Sequence, residues 1–295
     1  MRLDSAQLNA FATVIDEGSF ERAAAALHVT RSAVSQRVKL LEERVGQVLV
    51  RRATPCTPTE AGQALYRHAR EVALSETDAL ATIGGGQHTS TRLAIGVNAD
   101  SLATWFPHAM AQAAEGQSIT FDIHVEDQDH SANLLREGRV MAAVTADPQP
   151  VQGCKVLPLG TLRYRALASP AFMQRYFSRG VTVAALATSP MLVFNRKDAL
   201  QARFVGRITR RKLTPPVHWL PEAHAFVMAT RAGLGWGMTP DPMVQHDLEA
   251  GTLVELIPGK PVDVPLYWQS WRLNVQALHH MTEAVQRAAG LTLLR

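Results

Sequence analysis

A chain of 295 residues, 46% apolar and 19% charged, can bury a substantial core, and its length points to more than one domain. The opening stretch MRLDSAQLNAF lacks the build of a secretion signal, and no apolar run approaches the roughly 20 residues that cross a bilayer, so the reading is a cytoplasmic protein with no membrane partner. Two distant cysteines, Cys56 and Cys154, are too few for a zinc cluster and read as free thiols, while a net charge of +4 does not by itself decide on nucleic acid.

In chain order, the first predicted helix carries Leu8, Phe11, Ala12 and Ile15 at helical spacing, with Ser5 as its cap and Gly18 as its stop. A second follows at once. Ser19 accepts an orphan backbone N–H, Glu21 suits the positive end of the dipole, and Ala23, Ala24 and Leu27 form a narrow face that another helix can approach. After the turn His28-Val29, Thr30 caps a third helix whose Val34, Val38 and Leu41 point inward. Arg31, Ser32, Ser35, Gln36 and Lys39 then point outward. Such a small, polar, basic face fits the major groove, where Gln and Arg read base edges and Ser meets bases or phosphates.

Positive charge gathers on the same segment. From Arg31 to Arg52 the bases Arg31, Arg37, Lys39, Arg44, Arg51 and Arg52 face only Glu42 and Glu43, while the rest of the first 86 residues carries more acids than bases. A strand at Val48 to Val50, followed by Arg51-Arg52 and a turn holding Pro55 and Pro58, reads as a hairpin wing that lays arginine on the sugar-phosphate backbone. Thr59-Glu60 opens a long helix to about Ile83. Leu65, Ala69, Val72, Ala79 and Ile83 lie along one side of it, as in paired helices, and Gly84-Gly85-Gly86 ends it in a flexible joint.

Beyond the joint the pattern becomes α/β. Leu93 to Val97 reads as a strand followed by a helix starting near Asp100 or Ser101, with further strands at Thr120 to Val125, Met141 to Thr145, Tyr164 to Ala168, Met191 to Phe194 and Leu266 to Gln269. His124, Glu126, Asp127, Asp129 and His130 include metal-competent side chains, but no ligand spacing joins them and strand alternation sends several to opposite faces, so no metal is expected. The glycines of Gly233-Leu234-Gly235-Trp236-Gly237 follow a predicted helix rather than a first strand, which argues for a helix-ending turn over a dinucleotide site. Trp219, Trp268 and Trp271 read as core or interface residues. An enzyme is disfavoured because no nucleophile elbow, Walker loop or metal motif is present; a ligand-independent architectural DNA binder would leave the α/β part without a role.

The stretch GSFERAAAALHVTRSAVSQRVKLLEERVGQVLVRR followed by TPTEAG resembles the LysR-type transcriptional regulators almost position by position. Within that family NADSLATWFP, LLREGRVMAAVT, GLGWG and PLYWQSWRL are similar to the LysG/ArgP branch, which governs export of basic amino acids. The resemblance implies an α/β protein with an N-terminal winged helix-turn-helix over 1–58, a linker and dimerisation helix with its hinge over 59–86, and a two-lobed, periplasmic-binding-protein-like effector domain over 87–295. Lobe I would cover about 92–162 and 264–295, and lobe II about 163–263, with crossing strands near Thr161 to Arg163 and Asp263 to Pro265. It implies a homodimer or homotetramer on double-stranded promoter DNA, working with RNA polymerase and activating an exporter gene, with lysine or arginine as effector and no cofactor. The alternative is a relative serving another metabolic operon with a different effector.

The family's DNA contacts fall on Ser32, Ser35, Gln36 and Lys39, with Arg52 on the backbone; Ser32 stands where many members have proline, and Arg37 where an uncharged polar residue is commoner, so the bases read are this chain's own. Its effector cleft would bring together Asp100 and Ser101 at a helix start, Thr145 at a strand end, and Phe194 to Asp198 from the second lobe. A buried cationic side chain needs negative partners, for which Asp100, Glu126, Asp127 and Asp198 are candidates. Trp236 would cover the effector's stem or stack on a guanidinium, a contact of roughly 0.5 to 2 kcal/mol.

Overall fold

The computed structural model describes residues 3–83, 90–126 and 131–295; the glycine joint at 84–86 and Asp127, Asp129 and His130 lie outside the described residues. Helix α1 (Ser5–Glu17) is capped by Asp4, whose carboxylate accepts from Gln7 N–H, so the cap falls one residue before the expected Ser5. Gly18 ends α1 in the left-handed region at φ +65°. Ser19 and Thr30 cap α2 (Phe20–Ala26) and α3 (Arg31–Val45) through their hydroxyls, as their positions predict. Leu8, Phe11, Val14, Ala23, Val34, Val38 and Leu41 close the three-helix core. Strands β1 (Val50–Arg51) and β2 (Thr57–Pro58) pair antiparallel as the wing.

The wing strand begins later than Val48, and the reason lies in what Val48 and Leu49 bind instead. Thr59 donates its hydroxyl to Val48 O at 2.7 Å and its N–H to Leu49 O at 2.9 Å. Glu42, read in the sequence as a counter-charge, accepts instead from the N–H groups of Leu49 (2.8 Å) and Val50 (3.3 Å), tying α3 to the wing. Helix α4 (Glu60–Ile83) starts against the same turn, and a Cβ on Gly62 would stand 2.1 Å from Leu49 O. The glycine of TPTEAG is therefore a packing requirement. Tyr66 and Ala69 of α4 complete the core of the head, whereas Leu74 belongs to the core of the second unit, so one helix is built into both. Burial, reinforced by Asp16, pushes the Tyr66 hydroxyl far above its ordinary range; the hydroxyl donates to Asp16, which also receives Arg70 at 3.1 Å. Arg67 reaches the other way and donates to Gln152 O at 2.6 Å.

The second unit follows as β3 (Thr91–Val97), α5 (Ala99–Ala103), α6 (Phe106–Ala114), β4 (Ile119–Val125), α7 (Ser131–Arg136), β5 (Ala142–Thr145) and β6 (Cys154–Ala168). Then come α8 (Pro170–Phe177), α9 (Val183–Thr188), β7 (Met191–Val193), α10 (Leu200–Gly206), β8 (Val217–Trp219), α11 (Ala223–Arg231), β9 (Gly237–Pro240), α12 (Asp241–Ala250), β10 (Val254–Glu255), β11 (Val262–Trp271) and α13 (Gln276–Thr292). The large sheet runs β10-β6-β11-β5-β3-β4, with β9 on β6, and β7 and β8 form a small parallel pair.

Strands β6 and β11 pair antiparallel, with Arg163 opposite Asp263 and Thr161 opposite Pro265. Arg163 holds Asp263 with two bonds of 2.8 and 2.9 Å, which keeps that carboxyl below its ordinary range. The strand expected at Tyr164 to Ala168 begins earlier, at Cys154. Here the register shifts between Leu266 and Tyr267, and at Gly160 (φ +130°) a Cβ would meet Leu294 O at 2.7 Å, so these residues admit the C-terminal segment. Trp268 and Trp271 are fully buried as expected, but Trp219 is 47% exposed on β8 beneath the Arg196 guanidinium.

Candidate DNA-binding face and effector cleft

With Val34, Val38 and Leu41 fully buried, the helical repeat turns Arg31, Ser32, Gln36 and Lys39 to solvent and leaves Ser35 half-buried beside them. Arg31 pairs with Glu21 at 2.9 Å and Lys39 with Glu43 at 3.6 Å, both at exposed positions. Exposed pairs of this kind contribute about 0 to 1 kcal/mol, so phosphate can displace the carboxylates at small cost. On the adjoining wing Arg51 and Arg52 are exposed, and the Arg52 guanidinium sits 5.0 Å from the Phe20 ring centre, which fixes its direction. Helix face and wing thus present one basic, polar surface.

The cleft arises from strand order. Strands β3 and β4 are parallel neighbours in register at Val97 and Val125, so their carboxyl ends deliver Asn98 and Glu126 side by side, with Glu126 N–H donating to Val97 O at 3.2 Å. Open α/β sheets bind ligands at such strand ends. Lobe I contributes Asn98, Asp100, Val125 and Glu126, and lobe II contributes Phe194, Asn195, Asp198, Phe226, Thr239 and Met243, around a space of about 690 Å³ including its open mouth.

Four of the expected effector residues meet here: Asp100, Glu126, Phe194 and Asp198. Asp100 accepts from the Tyr164 hydroxyl at 2.7 Å, which anchors it to strand β6. Glu126 receives the Lys197 ammonium at 2.9 Å. Asp198 is partly a structural acceptor, since its two oxygens take the N–H groups of Phe194 (3.1 Å) and Leu200 (2.9 Å) and shape the loop after β7. Among the described residues no lysine or arginine lines the cleft itself, with Lys197 reaching Glu126 from its edge, so the lining carboxylates favour a cationic ligand.

Three expectations need correcting, and a fourth falls on Asp127, outside the described residues. Trp236 does not line the cleft: it is fully buried in lobe II, its ring 5.7 Å from Phe204, so it cannot stack on a ligand. Neither Ser101 on α5 nor Thr145 on β5 lines the cleft; Thr145 is buried with its hydroxyl accepting from Asp147 N–H at 3.0 Å. Moreover, α5 has only five residues and carries Asp100 in its first turn, so its N-terminus offers little field for an anionic group. Sequence reasoning missed Asn98 and Thr239, while Asn195 lies within the expected stretch Phe194 to Asp198. Asn98 was in view next to Asp100, but β9 was hidden because Gly235 and Gly237 read as a turn.

Two family models match the chain: the bacterial regulatory helix-turn-helix of the lysR family over residues 5–63 and the LysR substrate binding domain over 86–291. LysG from Mycobacterium tuberculosis is 48% identical over 290 residues, covering 98% of this chain and 94% of that one. The lysine export transcriptional regulatory protein LysG from Corynebacterium glutamicum is 42% identical over 288 residues, covering 96% and 97%. Among solved structures, ArgP from Mycobacterium tuberculosis superposes with a TM-score of 0.89 at 48% identity over 100% and 99% of the two chains. Full-length LysG from Corynebacterium glutamicum with bound effector Arg gives 0.82 at 40% identity over 99% and 100%. The chain belongs to the LysR family of bacterial helix-turn-helix proteins and is a DNA-binding transcriptional regulator, not an enzyme.

Proposed function

We propose that this regulator senses a basic amino acid, lysine or arginine, between its lobes and in response activates an amino-acid exporter gene. The observation that carries the reading is the convergence of Asp100, Glu126 and Asp198 on one small cleft shared by both lobes. A buried ammonium or guanidinium requires such partners. The arginine-bound LysG relative supports it. Arg31, Ser32, Ser35, Gln36, Lys39 and Arg52 contact promoter DNA. The division into a head at 1–58, a linker at 59–86 and a two-lobed domain at 87–295 serves a cytoplasmic homodimer paired through the linker helix, assembled into a tetramer and acting on RNA polymerase.

Ligand changes DNA binding only if it favours one lobe geometry over another. The test is binding of the protein to its own promoter and to that of a neighbouring exporter gene, titrated with lysine and with arginine at fixed salt. A shift in affinity or footprint with either amino acid supports the reading. Specific binding indifferent to both keeps the regulator and assigns it to another metabolic operon with a different effector.

A further inference from the structure

Asn98 and Thr239 enter the cleft from opposite lobes, one after β3 and the other on β9. Asn98 is 2% exposed and Thr239 1% exposed, yet the Asn98 amide nitrogen, the Asn98 amide oxygen and the Thr239 hydroxyl all lack a hydrogen-bond partner among the described residues. Their isolation is not forced by local chemistry. Asn98 occupies the N-cap position of α5, where asparagine ordinarily accepts a backbone N–H, but its side chain makes no cap bond. Buried polar groups are almost always paired, and unpaired ones in a ligand-sized cleft mark where a ligand's polar atoms belong.

We infer that Asn98 and Thr239 hold the α-amino and α-carboxylate groups of the effector and so make the site selective for α-amino acids. The inference rests on the reading of the cleft as the effector site. An amide offers a donor and an acceptor on one planar group, so the Asn98 nitrogen donates to the carboxylate while its oxygen accepts from the ammonium; the Thr239 hydroxyl adds a second donor to the carboxylate. The charged head of the ligand is thereby bound by neutral groups. This leaves the carboxylates Asp100, Glu126 and Asp198 for the cationic side chain, a separation that an α-carboxylate placed among three acids would not permit. Because the two head-binding residues come from different lobes, ligand joins the lobes through its head.

Calorimetric titration of the full-length protein separates head from tail by comparing arginine and lysine with agmatine and cadaverine, which lack the carboxylate. Wild type should bind the amino acids at least 10-fold more tightly than the amines. Asn98→Ala and Thr239→Val should each weaken amino-acid binding about 10- to 100-fold, as expected for lost bonds to charged groups, while changing amine binding far less. Thr239→Ser should recover most of the loss. Since neither side chain is partnered without ligand, the variants should unfold at or above the wild-type temperature, which separates a lost contact from a lost fold. Equal losses for amines and amino acids, or undiminished amino-acid binding in both variants, overturns the assignment. If wild type ignores lysine and arginine but binds a neutral amino acid in a manner dependent on Asn98, the basic-effector reading falls and the head assignment stands. Binding of agmatine as tightly as arginine does the reverse.

Discussion

Lys197 places its ammonium 2.9 Å from Glu126 Oε1, joining the loop after β7 in lobe II to the end of β4 in lobe I at the edge of the cleft. The chain's own cation thus engages one of the carboxylates assigned to the effector. Because the Lys197 side chain is 49% exposed, the pair contributes no more than about 1 kcal/mol. Lys197→Met should therefore raise affinity for lysine or arginine by up to about fivefold in calorimetry. Weaker binding in the variant would mean that Lys197 supports the ligand rather than competing with it.

On the DNA side, base reading and backbone binding separate. Gln36→Ala should lose roughly 1 to 3 kcal/mol of discrimination at one base pair, measured by competition among single-base operator variants. Arg52→Ala should instead weaken all sequences alike and lower the slope of log affinity against log salt by about one. An unchanged slope would take Arg52 off the phosphates.

Gly62→Ala sets two effects against each other. Alanine improves a helix interior by about 1 kcal/mol over glycine. The added Cβ, however, meets Leu49 O at 2.1 Å, and neither that backbone oxygen nor the Thr59 bonds beside it can yield cheaply. Net destabilisation of the head by about 1 to 3 kcal/mol is expected in thermal unfolding, with weaker DNA binding. A raised melting temperature would mean the wing turn is more pliable than its bonds imply.

Asp247, nearly buried on α12, receives Arg231 through two bonds of 2.6 Å and the Thr252 hydroxyl at 2.7 Å. The Arg231 bonds hold its carboxyl below the ordinary range. A depressed carboxyl stabilises the fold fully above its unfolded pKa, and that contribution is lost as pH falls through the folded one. Asp247→Asn should therefore cost about 1 to 3 kcal/mol at neutral pH, a buried-pair figure reduced for the half-exposed arginine, with the gap narrowing in acid. Urea unfolding at pH 7 and at about pH 3 decides this. A gap that persists in acid would assign the effect to shape and hydrogen bonding rather than charge.

The sequence by itself determined the DNA-binding head. Caps such as Ser19 and Thr30, the Val34, Val38, Leu41 stripe and the outward Ser32, Gln36 and Lys39 follow from interactions within a few residues, and local periodicity records them. It also supplied Asp100, Glu126 and Asp198, the acidic side chains that line the cleft. Tertiary structure alone decided which neighbours line the cleft. Asp100 and Ser101 are adjacent, yet one lines the cleft and the other is buried; Trp236 fills lobe II, while Thr239, three residues on, lines the cleft. The reason is that β9 is fixed by pairing with the distant β6, and the cleft forms only where β3 and β4 end opposite lobe II, relationships between segments far apart in the chain that no local pattern encodes.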